Sequence, residues 1–119
     1  MNTENNVLLA DFLGFQKTDL GWFDNEGVLS EIEQDNCFDS LYFDADWNWL
    51  MAVVQKIEIE CKYDVNIYGH YNWLNPFRCK IVDNRNTEIV YQANDSKIQC
   101  VYDACVEFVK WFKEQNNEK

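Results

Sequence analysis

Asp46-Trp47-Asn48-Trp49-Leu50-Met51-Ala52-Val53-Val54-Gln55-Lys56-Ile57-Glu58-Ile59 decides how the rest of the chain is read, because it has the clearest helical periodicity and lies at a change of composition. The residues before it are rich in acids, and those after it are mixed. At a helical period Trp47, Leu50, Val54 and Ile57 form one stripe with Met51 and Val53 on its flanks, while Asn48, Ala52, Gln55 and Lys56 fall opposite. Such a stripe has to be buried against another element. Asp46, or Asp44 two residues earlier, supplies a carboxylate for the free amides of the first turn.

A second amphipathic helix closes the chain. After a cap at Asp95 or Ser96, the apolar residues Ile98, Val101, Cys105, Phe108 and Phe112 recur at intervals of three and four, with Tyr102 and Val109 on the same face. Asp103, Glu107, Lys110 and Glu114 turn outward, and the periodicity predicts a helix from 96 to about 114. Cys100 and Cys105, five apart, point in different directions.

Between the two helices the period changes to two. Tyr63, Val65 and Ile67 alternate with polar neighbours, as do Phe77, Cys79 and Ile81; Ile89 and Tyr91 alternate with Glu88, Val90 and Gln92. Asp83-Asn84-Arg85-Asn86 predicts a tight antiparallel hairpin between the last two strands. The connection from Gly69 to Pro76 is longer and aromatic. The junction from Ile57 to Lys62 reads equally as helix and strand.

Before the central helix, Val7 to Leu13 predicts a short helix ending at Gly14. Asp24-Asn25-Glu26-Gly27, between Leu20-Gly21-Trp22-Phe23 and Val28-Leu29, suggests a hairpin or an ordered loop. The sum is one α+β domain over residues 1–119: a small antiparallel sheet of three or more strands, packed with two main amphipathic helices and a short N-terminal helix. Apolar residues on one face of each strand favour both main helices on the same side. Tyrosines, Val82 and Val90 on the other face leave room for the first helix to cover it.

An apolar content of 47%, with 16% aromatic residues, suffices for a core in 119 residues without a staple. Residues 1–6 lack the basic and apolar pattern of a leader, and no apolar run approaches the roughly 20 residues that span a bilayer. A cytoplasmic protein without a membrane partner is expected. Five cysteines with no Cys-x-x-Cys pair predict reduced thiols and no metal. Asn94-Asp95-Ser96 is a glycosylation tripeptide without meaning unless the chain is secreted.

Charge is the unusual bulk property. Twenty-one acids against ten bases give a formal net charge of -11, which argues against direct binding of nucleic acid. No Lys or Arg stands between Lys17 and Lys56, an interval that holds Asp19, Asp24, Glu26, Glu31, Glu33, Asp35, Asp39, Asp44 and Asp46.

Two segments, Asp46-Trp47-Asn48-Trp49-Leu50-Met51-Ala52-Val53-Val54-Gln55-Lys56-Ile57-Glu58 and Ser96-Lys97-Ile98-Gln99-Cys100-Val101-Tyr102-Asp103-Ala104-Cys105-Val106-Glu107-Phe108-Val109-Lys110-Trp111-Phe112, resemble small bacteriophage and mobile-element proteins grouped as the phage ABA-sandwich domain. The likeness covers about a third of the chain and consists of packing motifs. It implies a helix–sheet–helix domain in a phage or mobile-element setting, and it carries over no catalytic residue.

The candidate sites follow from what the chain has and lacks. A single histidine, His70, leaves no Ser–His–Asp arrangement and no second imidazole, and an acidic chain is a poor setting for a reactive Cys–His pair. Asp39, Asp44, Asp46 and Asp24-Asn25-Glu26 lack the spacing of a calcium loop, and no glycine-rich phosphate loop is present. The expectation is a protein with no enzymatic activity and no cofactor. Trp49 and Trp111 lie off the main stripes of their helices, and Tyr71 and Trp73 sit in the long connection. Each is a candidate partner anchor, unless the first helix or the acidic segment covers it.

Asp24, Glu26, Glu31, Glu33, Asp35 and Asp39 form a candidate face for a basic protein, either as a mimic of nucleic-acid phosphates or as a solubilising surface. With the phage resemblance, the leading expectation is an inhibitor of a host nucleic-acid-binding or defence protein such as a CRISPR effector. The alternative is an accessory interaction module that works through exposed aromatics or by forming a homodimer.

Overall fold

The computed structural model of the chain describes residues 3–19, 21–24, 37–38 and 40–117. Helix α2 spans Trp47–Ile59, with Asp46 at its N-cap accepting a hydrogen bond from the Asn48 amide at 2.8 Å. Its buried face keeps Leu50, Val53, Val54 and Ile57 of the stripe that the spacing suggests, but it loses Trp47 and widens to take in Trp49 and Ala52. Trp49, Leu50, Ala52, Val53, Val54 and Ile57 point inward, while Trp47 remains 37% exposed. The cause lies outside the helix. Trp49 is 1% exposed because Phe43, Tyr42 and Phe15 surround it edge-on, with ring centroids 5.2, 5.5 and 6.1 Å away. Three aromatics from the preceding chain turn the helix toward themselves, which the period of α2 alone cannot reveal.

Helix α3, Lys97–Asn117, is the centre of the fold. Val101, Tyr102, Ala104, Cys105, Val106, Phe108 and Val109 are all buried, more than one stripe requires, because the helix has neighbours on two sides. Strands β5 (Phe77–Val82) and β6 (Glu88–Asn94) cover one side; α1 (Thr3–Leu13) and α2 cover the other. Cys100 and Cys105 are therefore both buried, and the Cys100 thiol donates to the Phe77 and Gln92 carbonyls at 3.4 Å. Burial of both is compatible with their pointing in different directions, because α3 has neighbours on two sides.

Strand β4 (Asp64–Gly69) completes an antiparallel sheet in the order β4-β5-β6. The hairpin from Asp83 to Thr87 has the predicted polar turn: the Asp83 carboxylate accepts from the Arg85 and Thr87 amides at 2.9 Å, and Asn86 takes a left-handed φ of 64°. A register shift at Ile81/Val82 corrects the reading of the last strand. Val90, opposite Ile81, is buried, whereas Tyr91 stands opposite Lys80 on the outer face. Val65, Ile67, Phe77, Cys79, Ile81 and Val90 pack with the helices in one core. α1 packs on α3, α2 and β1 (Phe15–Thr18), so it is not the cover for the outer face.

α1 ends as predicted at Gly14, whose φ of 88° suits glycine, although it starts four residues earlier than the apolar spacing suggests. Lys56 of α2 donates to the Phe12 carbonyl and lies 4.9 Å from the Phe12 ring, placing a cation at the carbonyl end of α1. β1 forms a hairpin with β2 (Gly21–Asp24), which also pairs with β3 (Cys37–Phe38). Thr18 stands opposite Gly21 in that hairpin, and the turn expected at Asp24–Gly27 falls, after Asp24, outside the described residues. The helix-or-strand junction resolves as helix to Ile59, then a reversal with φ 65° at Lys62.

One buried polar residue ties these parts together. The Asn6 amide donates to the Leu41 carbonyl and to the Asp44 carboxylate, both at 3.2 Å, and its oxygen accepts from the Tyr102 hydroxyl at 2.9 Å. No helix among the described residues is long and apolar enough to cross a membrane.

Candidate functional site

The β4–β5 connection is long for a hairpin, and its backbone closes on itself. The His70 amide donates to the Pro76 carbonyl at 3.0 Å, the Trp73 amide to the His70 carbonyl at 3.1 Å, and the Asn72 amide to His70 Nδ1 at 3.1 Å. The strands come together at Gly69, where a Cβ would stand 2.6 Å from the Pro76 carbonyl oxygen.

Arg78, on the outer face of β5, fixes the loop from outside. Its guanidinium lies 4.4 Å from the Trp73 ring centroid, its Nε donates to the Asn75 carbonyl at 2.9 Å, and its Nη1 donates to the Tyr91 hydroxyl. One planar cation thereby holds a loop carbonyl, a loop tryptophan and a strand tyrosine at once. Tyr68 meets Trp73 edge-on at 6.0 Å, and His70 stacks on Tyr71 at 4.9 Å. Desolvation, and then the neighbouring Tyr91, raises the pKa of the Tyr68 hydroxyl.

This support leaves two large apolar side chains in water. Tyr71 is 87% and Leu74 95% exposed, and Tyr68, Trp73 and Tyr91 are partly exposed beside them. In the two outer rows next to the loop, Asn66–Lys80–Tyr91 and Tyr68–Arg78–Ala93, there are two cations and no carboxylate. On the helix side of the loop an open cleft of about 570 Å³ lies among Tyr68, Gly69, His70, Tyr71, Pro76, Phe77 and Lys97. A second cleft of about 400 Å³ lies between the end of α1 and α2, beside the exposed Ile59.

Of the anchors read from the sequence, Tyr71 and Trp73 come together here on the surface. Trp49 does not; it is core. Trp111 is half-buried and packs on Tyr63 and Phe108, both at 5.9 Å, so it too belongs to the core's edge. Of the acidic candidates, Asp24 lies in β2 and Glu26, Glu31, Glu33, Asp35 and Asp39 lie outside the described residues. Two further acids of the same run have local duties, Asp44 as an acceptor for Asn6 and Asp46 as a helix cap. Tyr68, Leu74, Arg78 and Tyr91 were missed as site residues. The alternation of the strands already placed Tyr68 and Arg78 away from the apolar face; Leu74 carries no periodic signal.

The surface offers apolar area, hydroxyl donors and cations. Burial raises the thiol pKa of Cys79 to about 12, that of Cys105 well above its ordinary value, and those of Cys61 and Cys100 upward, so these sulfurs stay protonated and poorly nucleophilic. Among the described residues no group of three His, Cys, Asp or Glu side chains could hold a metal ion. Comparison with known protein families, with curated proteins and with solved structures found no match.

Proposed function

We propose that the chain is a non-enzymatic, cytoplasmic binding module that grips a protein partner with the β4–β5 tip and the adjoining outer face of β4–β6. The observation that carries this reading is the pairing of exposure with rigidity: Tyr71 and Leu74 stand almost wholly in water on a loop held by Arg78 and by its own backbone hydrogen bonds. Exposed aromatics that are already ordered lose little entropy on binding, which is the property of an interface anchor.

A second reading keeps the acidic run as the contact surface, with the chain acting as an inhibitor of a host nucleic-acid-binding or defence protein. The formal charge of -11, with no base between Lys17 and Lys56, favours it, as does the phage-like pattern of the two long helices. The test is affinity capture from host lysate with three baits: the natural chain, a Tyr71→Ala/Leu74→Ser variant, and a variant with Asp24, Glu26, Glu31, Glu33, Asp35 and Asp39 changed to amides. The proposal expects a partner retained by the amide variant and lost by the tip variant. The reverse pattern would establish the acidic reading, and self-capture lost with the tip would identify the partner as a second copy.

A further inference from the structure

The cleft behind the tip has a composition unlike the rest of the protein. Tyr71, Pro76 and Phe77 give it apolar walls beside the bare backbone of Gly69. Acids outnumber bases by 21 to 10 in the chain, yet the cleft is lined by Lys97 and His70 and by no carboxylate. Lys97 is exposed at the first residue of α3, where the helix amides add positive potential of the same sign. The ion pair among the described residues is elsewhere, between Lys113 and Asp11.

We propose that this cleft takes a planar aromatic group carrying one carboxylate, with the ring against Tyr71 and Phe77 and the carboxylate at the Lys97 ammonium. This deepens the tip reading and rests on it, since Tyr71 belongs to both. A monoanion fits better than a phosphate for two reasons. Arg78, the nearest guanidinium, is already engaged with Trp73, Asn75 and Tyr91, so a single ammonium remains. Asp95, exposed two residues before Lys97, opposes a second negative charge. The ligand is either a free aromatic acid or an aromatic residue next to an Asp or Glu of the partner.

The test is an amide-resolved NMR titration of the full chain with phenylacetate, phenylacetamide and acetate. Phenylacetate should give saturable shifts at residues 68–71, 77 and 97, phenylacetamide should bind about three- to fivefold more weakly, as an exposed ion pair allows, and acetate should leave these residues unmoved. Lys97→Gln should make the acid and the amide equal, and Tyr71→Ala should weaken both. Absence of saturable shifts at these residues, equal binding of acid and amide to the natural chain, or tighter binding of uridine monophosphate would overturn the assignment. Acetyl-Asp-Phe-amide binding more tightly than phenylacetate identifies a partner peptide as the source; the opposite order identifies a free acid. Leu74→Ser, outside the cleft, should leave phenylacetate binding intact while abolishing partner capture, so the cleft and the tip fail separately.

Discussion

Replacing Trp49 by alanine separates the account of the core from the reading in which this residue faces a partner. Trp49 is 1% exposed and touches the rings of Tyr42, Phe43 and Phe15. Removing a buried tryptophan costs about 3–5 kcal/mol in transfer and cavity terms together. The cost should fall toward the upper end, because Phe15 and the adjacent pair Tyr42-Phe43, each held in its own part of the chain, cannot all collapse into the space. A domain of this length has a total stability on the order of 5–15 kcal/mol, so Trp49→Ala removes a large share of it. Trp49→Phe keeps an aromatic surface and should cost roughly half as much. Urea unfolding followed by far-ultraviolet circular dichroism gives both values from the midpoints at constant slope. Trp111→Ala, at a half-buried position, is the internal comparison and should lose less. A loss for Trp49→Ala below about 1 kcal/mol, or below that for Trp111→Ala, would refute the packing described here.

Three other perturbations test separate parts of the fold. Asn6→Ala should cost about 2–4 kcal/mol in the same urea assay, because the Leu41 carbonyl and the Tyr102 hydroxyl lose a buried partner; pairing it with Tyr102→Phe should give a double-mutant coupling above about 0.5 kcal/mol, and purely additive losses would argue against the network. Asp83 accepts backbone hydrogen bonds, from Thr87 above all and then Arg85, which hold its carboxyl below the ordinary carboxylate range. Its support of the hairpin is therefore complete above the unfolded carboxylate pKa and fades as pH falls through the lower folded value; an NMR titration should find its midpoint below those of other exposed carboxylates, and an ordinary midpoint would contradict the turn. Tyr71→Ala and Leu74→Ser should each change stability by less than about 0.5 kcal/mol, since both side chains are in water; a larger loss would mean that the tip belongs to the core.

Much of the fold was legible because it rests on local chemistry. The Asp46 cap, the Gly14 stop, the Asp83 turn and the change of period between the helices and the strands each depend on residues only a few positions apart in the chain. What was not legible depends on distant partners. The burial of Trp49 on α2 is set by Phe15, Tyr42 and Phe43; the burial of both Cys100 and Cys105 follows from neighbours on two sides of α3; the inward turn of Val90 follows from a register shift at Ile81/Val82. The site was half legible for the same reason. Tyr71 and Trp73 stand out as aromatics in a long connection, but the rigidity that makes them useful comes from Arg78 reaching back across the sheet.

The most direct test of the tip as the contact surface is site-specific photo-crosslinking, with a photo-reactive phenylalanine analogue placed at Tyr71 in one bait and at Glu33 in another. The account predicts a discrete crosslinked partner from position 71 and none from position 33. A partner crosslinked from position 33 and absent from position 71 would contradict it and move the contact surface to the acidic run.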